Sequence, residues 1–229
     1  MTCSEEFQEK QDLIIDGIAP IFTRMRSGTH NKVVHDASFQ QLLMEGLVDF
    51  KEEIIIAGFG GQGVLSMGKI LAYAALVEGK EVTWMPSYGP EQRGGTANVT
   101  VILSDDPISS PILNEYDIAI ILNQPSLDKF ESKVKPGGIL IYDGYGIHSE
   151  IKRKDIQVYR VDAMDAAAEM NNAKAFNMLI LGGLLKVVPM VKMENVLLGL
   201  KKSLPERHHN LIPMNEAAIL KGMEIIQKV

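Results

Sequence analysis

The sequence predicts an α/β protein: a three-layer αβα sandwich around a mostly parallel or mixed sheet, with a helical extension at its amino end. Three observations carry that prediction. From Glu53 onward, short apolar runs alternate with segments of helical periodicity. Several of those runs are apolar throughout, as in strands covered on both faces, whereas a strand with one wet face alternates. A glycine-rich turn follows the first run directly and opens a helical pattern, the strand–turn–helix join of wound α/β folds.

Residues 1–50 form the extension. Leu13, Ile14, Gly17, Ile18, Ile21 and Phe22 recur at helical spacing around Pro20, and Phe39, Leu42, Leu43 and Leu47 repeat the pattern after the polar SGTHNK stretch. Two helices are expected, serving either to cap the main domain or to dock on a partner subunit. Residues 51–229 form the main domain. Its strands are expected at 54–57, 82–85, 99–103, 118–122, 139–142 and 158–161, and its helices at 63–77, 127–134, 163–170 and 173–187, in largely βαβ order. Two amphipathic helices follow, at 193–203 and 215–228. The turn-rich PERHHNLIP separates them, with Pro213 and Asn215 placed to start the second.

A chain of 229 residues is one large domain or a domain with an appendage. With 46% hydrophobic and 23% charged residues it is ordinary globular material. The formal net charge of −6 argues against a protein that holds nucleic acid by neutralising phosphates, so any anionic ligand must be held locally. The single cysteine, Cys3, excludes an internal disulfide and a four-cysteine zinc or iron–sulfur site, and favours a cytoplasmic setting. No membrane partner is expected. The most apolar stretch, Met178 to Leu185, ends at Lys186, and the opening TCSEEFQEKQ is acidic where a secretory leader would be basic and then apolar.

The first candidate site is GFGGQG. Gly58, Gly60 and Gly63 satisfy G-x-G-x-x-G after a strand and before a helix, with Gly61 and Gln62 between them. Glycines there permit a tight turn whose backbone N–H groups can face a phosphate. A dinucleotide site also wants an acid at the end of the second strand to bind the ribose hydroxyls. That strand ends here in Trp84, Met85 and Pro86, and Glu81 lies at its start. Three readings stand: a Rossmann site, a purely structural turn, or a phosphate-bearing ligand or subunit held by another scheme.

The second candidate is MPSYGPEQRGGTANVTV. Ser87, Tyr88, Glu91, Gln92 and Arg93 crowd among Pro86, Gly89, Pro90, Gly94 and Gly95. That is either a ligand or interface element at the carboxyl edge beside the glycine turn, or a surface loop in which Glu91 pairs with Arg93. A third pattern mimics a thiamine diphosphate motif, Tyr142-Asp143-Gly144 followed downstream by Asn171-Asn172. Its first glycine is missing, and Asn is well suited to capping a helix, so coincidence is the better reading. No metal ligand set, nucleophile elbow or phosphate-cradling lysine is found. His208 and His209 are adjacent in a loop, and Lys69 lies well inside the helix.

Taken together, GFGGQGVLSMGKILAYAAL and PSYGPEQRGGTANVTVILSDDPISSP resemble the gamma subunit of the 2-oxoacid:ferredoxin oxidoreductases and one internal domain of the single-chain pyruvate enzymes. The likeness runs from about Glu52 to Val229. DIAIILNQPSLDKF, KPGGILIYDG and NNAKAFNMLILGGLL, with Asn177-Met178 and Leu181-Gly182, extend it. The resemblance implies a non-autonomous component of a complex that oxidatively decarboxylates a 2-oxoacid (2-oxoglutarate, a branched-chain oxoacid or pyruvate) to the acyl-CoA. Alpha and beta subunits, with or without a ferredoxin-like delta subunit, would be its partners, and ferredoxin the acceptor of the complex. Thiamine diphosphate, Mg and iron–sulfur clusters would reside on the partners, and this chain alone would bind no cofactor and hold no catalytic residue. Coenzyme A is the co-substrate whose site it would help form, through Gly58, Gly60, Gly61, Gln62 and Gly63 and through Ser87, Tyr88, Glu91, Arg93 and Gly94. The alternative is a free-standing Rossmann-like nucleotide-binding protein.

Overall fold

The computed structural model describes residues 50–89 and 95–229. The expected helices within 1–50, and Glu91, Gln92, Arg93 and Gly94, therefore lie outside the described residues. Ile54, Ile55, Ile56 and Ala57 are wholly buried in the first strand, β1 (Lys51–Phe59), as an apolar run covered on both faces requires. The glycine turn then leads into α1 (Val64–Val77), which returns the chain to β2 (Glu81–Tyr88). β3 (Thr96–Ser104) and β4 (Tyr116–Ile121) follow, then α2 (Gln124–Phe130), β5 (Val134–Asp143), β6 (Gln157–Val161) and α3 (Ala163–Glu169). The chain ends in α4 (Phe176–Val187), α5 (Met193–Ser203), α6 (Ile212–Ile225) and the short β7 (Gln227–Lys228).

The seven strands form one mixed sheet in the order β2-β3-β1-β4-β5-β6-β7. β1, β4, β5 and β6 are parallel, β3 runs antiparallel to both β1 and β2, and β7 runs antiparallel to β6. Two layers of helix enclose it. Gly68 of α1 packs on Val99, Val101 and Trp84, and Gly183 of α4 on Val161. On the opposite face Leu127 and Phe130 of α2 join Ile55, Ala57, Ala119, Ile121 and Leu140 in one apolar cluster, with the Tyr116 and Phe130 rings edge to face at 6.1 Å. α5 lies against α1, and α6 against α4. The second crossing is backbone to backbone: a Cβ on Gly182 would strike the Ile219 carbonyl, and one on Gly222 the Leu179 carbonyl.

All six expected strands form, but several boundaries differ. The second helix begins at Gln124 rather than 127, because Asn123 caps it by accepting from Ser126 N at 2.9 Å, and α-helix gives way to a tighter turn at Glu131. The region 173–187 opens with a 3-10 turn, Ala173–Ala175, before α4. The last helix starts at Ile212, with Pro213 in its first turn, where the missing N–H costs nothing. It stops at Ile225, and Gln227 and Lys228, expected to be helical, pair with β6 instead.

Candidate functional site

β1 sends the chain to one side, through α1 to β2 and β3, whereas β4, β5 and β6 lie on its other side. The carboxyl ends of β1 and β4 therefore flank a switch point, with α1 and α2 leaving it on opposite faces, where α/β sheets form a ligand crevice. The glycine turn sits there. Gly61 has φ +102° and Gly63 φ +77°, conformations that disfavour any side chain, while Gly60 is not among the positive-φ glycines. Gly61 is exposed, and a Cβ built on it meets nothing within 4 Å. Gly58 has the opposite reason to be glycine, since its Cβ would lie 2.6 Å from Gln62 Oε1 and 3.0 Å from Leu122 Cβ.

Gln62 is spent inside the turn. Its Oε1 accepts from Phe59 N at 2.6 Å and its Nε2 donates to the Leu122 carbonyl at 3.2 Å, which staples the turn to the end of β4. The amides of Gly61 and Gly63 have no partner among the described residues, and Gly63 caps α1 with no side-chain acceptor and no acid in the first turn. Uncapped amides at the positive end of a 14-residue helix favour an anion.

The second candidate segment meets the first. Gly60 N donates to the Gly95 carbonyl at 2.9 Å, and Phe59 pairs with Thr96 at the start of β3. Ser87 and Tyr88, expected in a loop, are the last residues of β2. Both are exposed, Tyr88 at 68%. The strand thus runs past Trp84, Met85 and Pro86, and the position where a ribose-binding acid would stand is held by Ser87 and Tyr88. Moreover β3, not β2, is the neighbour of β1, so the end of β2 is one strand too far away for the usual dinucleotide arrangement.

Two residues that the sequence reading did not select join the site. The Asn177 side chain of α4 lies against Gly63, where a Cβ would collide with its amide. Asn123, 3% exposed, follows Leu122 at the end of β4, and its Nδ2 is buried without a partner. Neither is marked by local pattern, since one lies in an apolar helix and the other reads as a cap.

The thiamine-like motif resolves otherwise. Asp143 Oδ1 accepts from Ala163 N at 3.2 Å and Met164 N at 3.3 Å, and its Oδ2 from Gly146 N at 3.1 Å, so it ties the end of β5 to the start of α3. Burial raises its pKa, and these hydrogen bonds only partly offset the rise. Asn171, at φ 50°, ends α3, and Asn172 N donates back to the Ala167 carbonyl at 2.9 Å. A carboxylate committed to backbone amides does not fit a diphosphate-bound metal. Among the described residues no cluster of His, Cys, Asp and Glu is placed to hold a metal, and no helix is long and apolar enough to cross a membrane.

Comparison with known proteins agrees with this geometry. Residues 53–225 match the family described as pyruvate ferredoxin/flavodoxin oxidoreductase. The ketoisovalerate oxidoreductase subunit VorA of Methanothermobacter marburgensis is 44% identical over 135 residues, 58% of this chain and 28% of the relative's length. The 2-oxoglutarate synthase subunit KorC of Methanocaldococcus jannaschii is 31% identical over 185 residues, 80% of this chain and 97% of its own. Among solved structures, the gamma subunit of a keto/oxoacid ferredoxin oxidoreductase from Geobacter sulfurreducens superposes with a TM-score of 0.65 at 28% identity, covering 77% of this chain and 96% of that one.

Proposed function

The chain belongs to the pyruvate ferredoxin/flavodoxin oxidoreductase family, and from that premise we propose that it is the gamma component of a multi-subunit 2-oxoacid:ferredoxin oxidoreductase. The matched segment is 28% of the ketoisovalerate relative but 97% of the 2-oxoglutarate synthase subunit, which supports a domain that serves either fused within a longer chain or as a separate subunit. Alpha and beta subunits, with or without a ferredoxin-like delta subunit, complete the assembly, and ferredoxin takes its electrons. Thiamine diphosphate with Mg, and iron–sulfur clusters, reside on those partners and supply the decarboxylation and electron transfer. This chain helps to bind coenzyme A.

The observation that carries the reading is the meeting of the two glycine-rich segments at the switch point, joined by Gly60 N and the Gly95 carbonyl. The amides of Gly61 and Gly63, without a partner among the described residues, suit a phosphate of coenzyme A beside the exposed Ser87 and Tyr88, and Glu91, Arg93 and Gly94 are its further candidates from the sequence, Arg93 as a charge-assisted partner. Gly58 and Gln62 act behind them, holding the turn against β4.

Reconstitution tests the proposal. The purified chain should be colourless and give no 2-oxoacid- and coenzyme A-dependent reduction of a viologen dye, which should appear only when alpha and beta chains are added. Robust turnover by the chain alone would contradict it. The rival reading, a free-standing nucleotide-binding protein, predicts micromolar NADH binding by the isolated chain in calorimetry. With β3 between β1 and β2, and Ser87 and Tyr88 at the ribose position, weak or absent binding is expected.

A further inference from the structure

The opposite end of the sheet holds a buried group that the proposed function does not use. Glu52, the second residue of β1, is 1% exposed, and neither of its carboxyl oxygens has a hydrogen-bond partner among the described residues. Its neighbours are fully paired. Lys135 Nζ reaches Glu53 Oε2 at 2.6 Å and Asp117 Oδ1 at 2.8 Å, Asp117 Oδ2 accepts from Glu53 N at 3.0 Å, and Lys51 pairs with Glu53 Oε1 at 2.6 Å. Lys135 thereby joins β5 to β1 and β4.

Among the described residues no charged side chain is bonded to Glu52. Side chains alternate along β1, so Glu52 points to the face opposite Glu53 and its lysines. β3, paired alongside, presents Ile102, Leu103 and Ser104 at those positions. The other charged groups of this edge are engaged elsewhere: Lys80 binds Asp105 at 2.9 Å, and Glu78 accepts from Lys192 N and from Asn195 Nδ2 at the start of α5. A buried, unpaired carboxylate is so costly that a carboxyl group in such a place keeps its proton.

We propose that this edge is a proton-controlled latch, in which Glu52 is buried as the neutral acid and its deprotonation, by leaving an uncompensated charge buried in β1, destabilises the amino edge of the sheet. In support, burial and then the Asp117 charge push the Glu52 carboxyl well above its usual range, against the pull of Lys135. The sign of the linkage follows. The folded chain keeps a proton that the unfolded chain releases near pH 4.3, about the ordinary glutamate value, so this contribution to stability is whole below that pH. It is lost as pH rises toward the folded value.

Melting midpoints of the full chain between about pH 5 and pH 9 test the latch, using wild type, Glu52→Gln and Glu52→Met. The wild-type midpoint should decline with pH relative to both variants. Because the Glu52 oxygens have no partner to lose, Glu52→Met should melt at or above wild type throughout, with a margin that widens as pH rises. Infrared spectroscopy of wild type at neutral pH should show the carbonyl stretch of a protonated carboxylic acid, absent from Glu52→Gln. Asp117→Asn should move the pH of its loss downward. Parallel melting profiles, a Glu52→Met chain less stable at every pH, or a wild-type spectrum without the protonated band would each overturn the proposal. The spectrum needs no variant to fold.

Discussion

At the carboxyl edge of the sheet Gly61 and Gly63 hold left-handed backbone with amides that have no partner among the described residues, and Ser87 and Tyr88 stand exposed beside them. At the amino edge Lys51, Lys135, Glu53 and Asp117 are bonded to one another, and the one carboxyl left over is sealed from water. The first edge spends backbone freedom to keep donors available, and the second spends charge to join three strands. On the proposed function the first edge receives a ligand while the second holds the sheet together, so the two should fail differently when mutated.

The largest effect is expected at the amino edge. Lys135→Met leaves Glu53 and Asp117, with side chains only 10% and 13% exposed, without their shared cation. It should cost about 3 kcal/mol of stability, the low end for breaking a buried pair because Lys135 keeps some contact with water. Denaturant titration measures the loss. Complex assembled at a permissive temperature should retain its affinity for coenzyme A, and a weakened coenzyme A constant would dissolve the contrast between the edges.

At the carboxyl edge Gly63→Ala should come next, because φ +77° strains any side chain and Asn177 occupies the space. About 1–3 kcal/mol is expected from the backbone alone, so this variant impairs folding and function together. Gly61→Ala separates them. It has φ +102° but open space, so it should lose about 1–3 kcal/mol from the backbone without the added clash while weakening coenzyme A use in the complex. Equal losses of stability in the two alanine variants would show that Asn177 does not crowd Gly63.

The smallest effect is acid sensitivity. Burial would raise Glu53 and Asp105, but hydrogen bonds from Lys135 and Lys51 to the first, and from Lys80 and Phe50 N to the second, outweigh it and hold both below the usual carboxylate range. Their stabilisation is present above the unfolded value and lost as pH falls through the folded one, so melting midpoints should drop below about pH 4. Asp105→Asn, at an exposed pair, should blunt the drop by less than about 1 kcal/mol.

Much of this contrast was legible in the residues themselves. The apolar runs of β1 and β4 announce strands covered on both faces, and Met193–Ser203 forms the expected helix to the residue. Gly58, Gly60 and Gly63 mark the turn because few other sequences tolerate its geometry. The insertion of β3 between β1 and β2 was not legible, since strand pairing is a long-range choice that local periodicity does not encode. For the same reason Glu52 reads as the polar flank of a strand, although it is sealed inside, and Asn177 reads as part of a helix face. Nor was it legible that Gly61 and Gly63, and not Gly60, take positive φ, because only backbone dihedrals reveal which glycine does.

The most direct test of the site is the apparent coenzyme A constant of the reconstituted complex carrying Arg93→Ala, read beside the melting midpoint of that chain. Loss of a charge-assisted hydrogen bond of about 1.5–3 kcal/mol should weaken coenzyme A on the order of ten- to hundredfold, with assembly and melting unchanged. An unchanged constant in an intact complex would contradict the account.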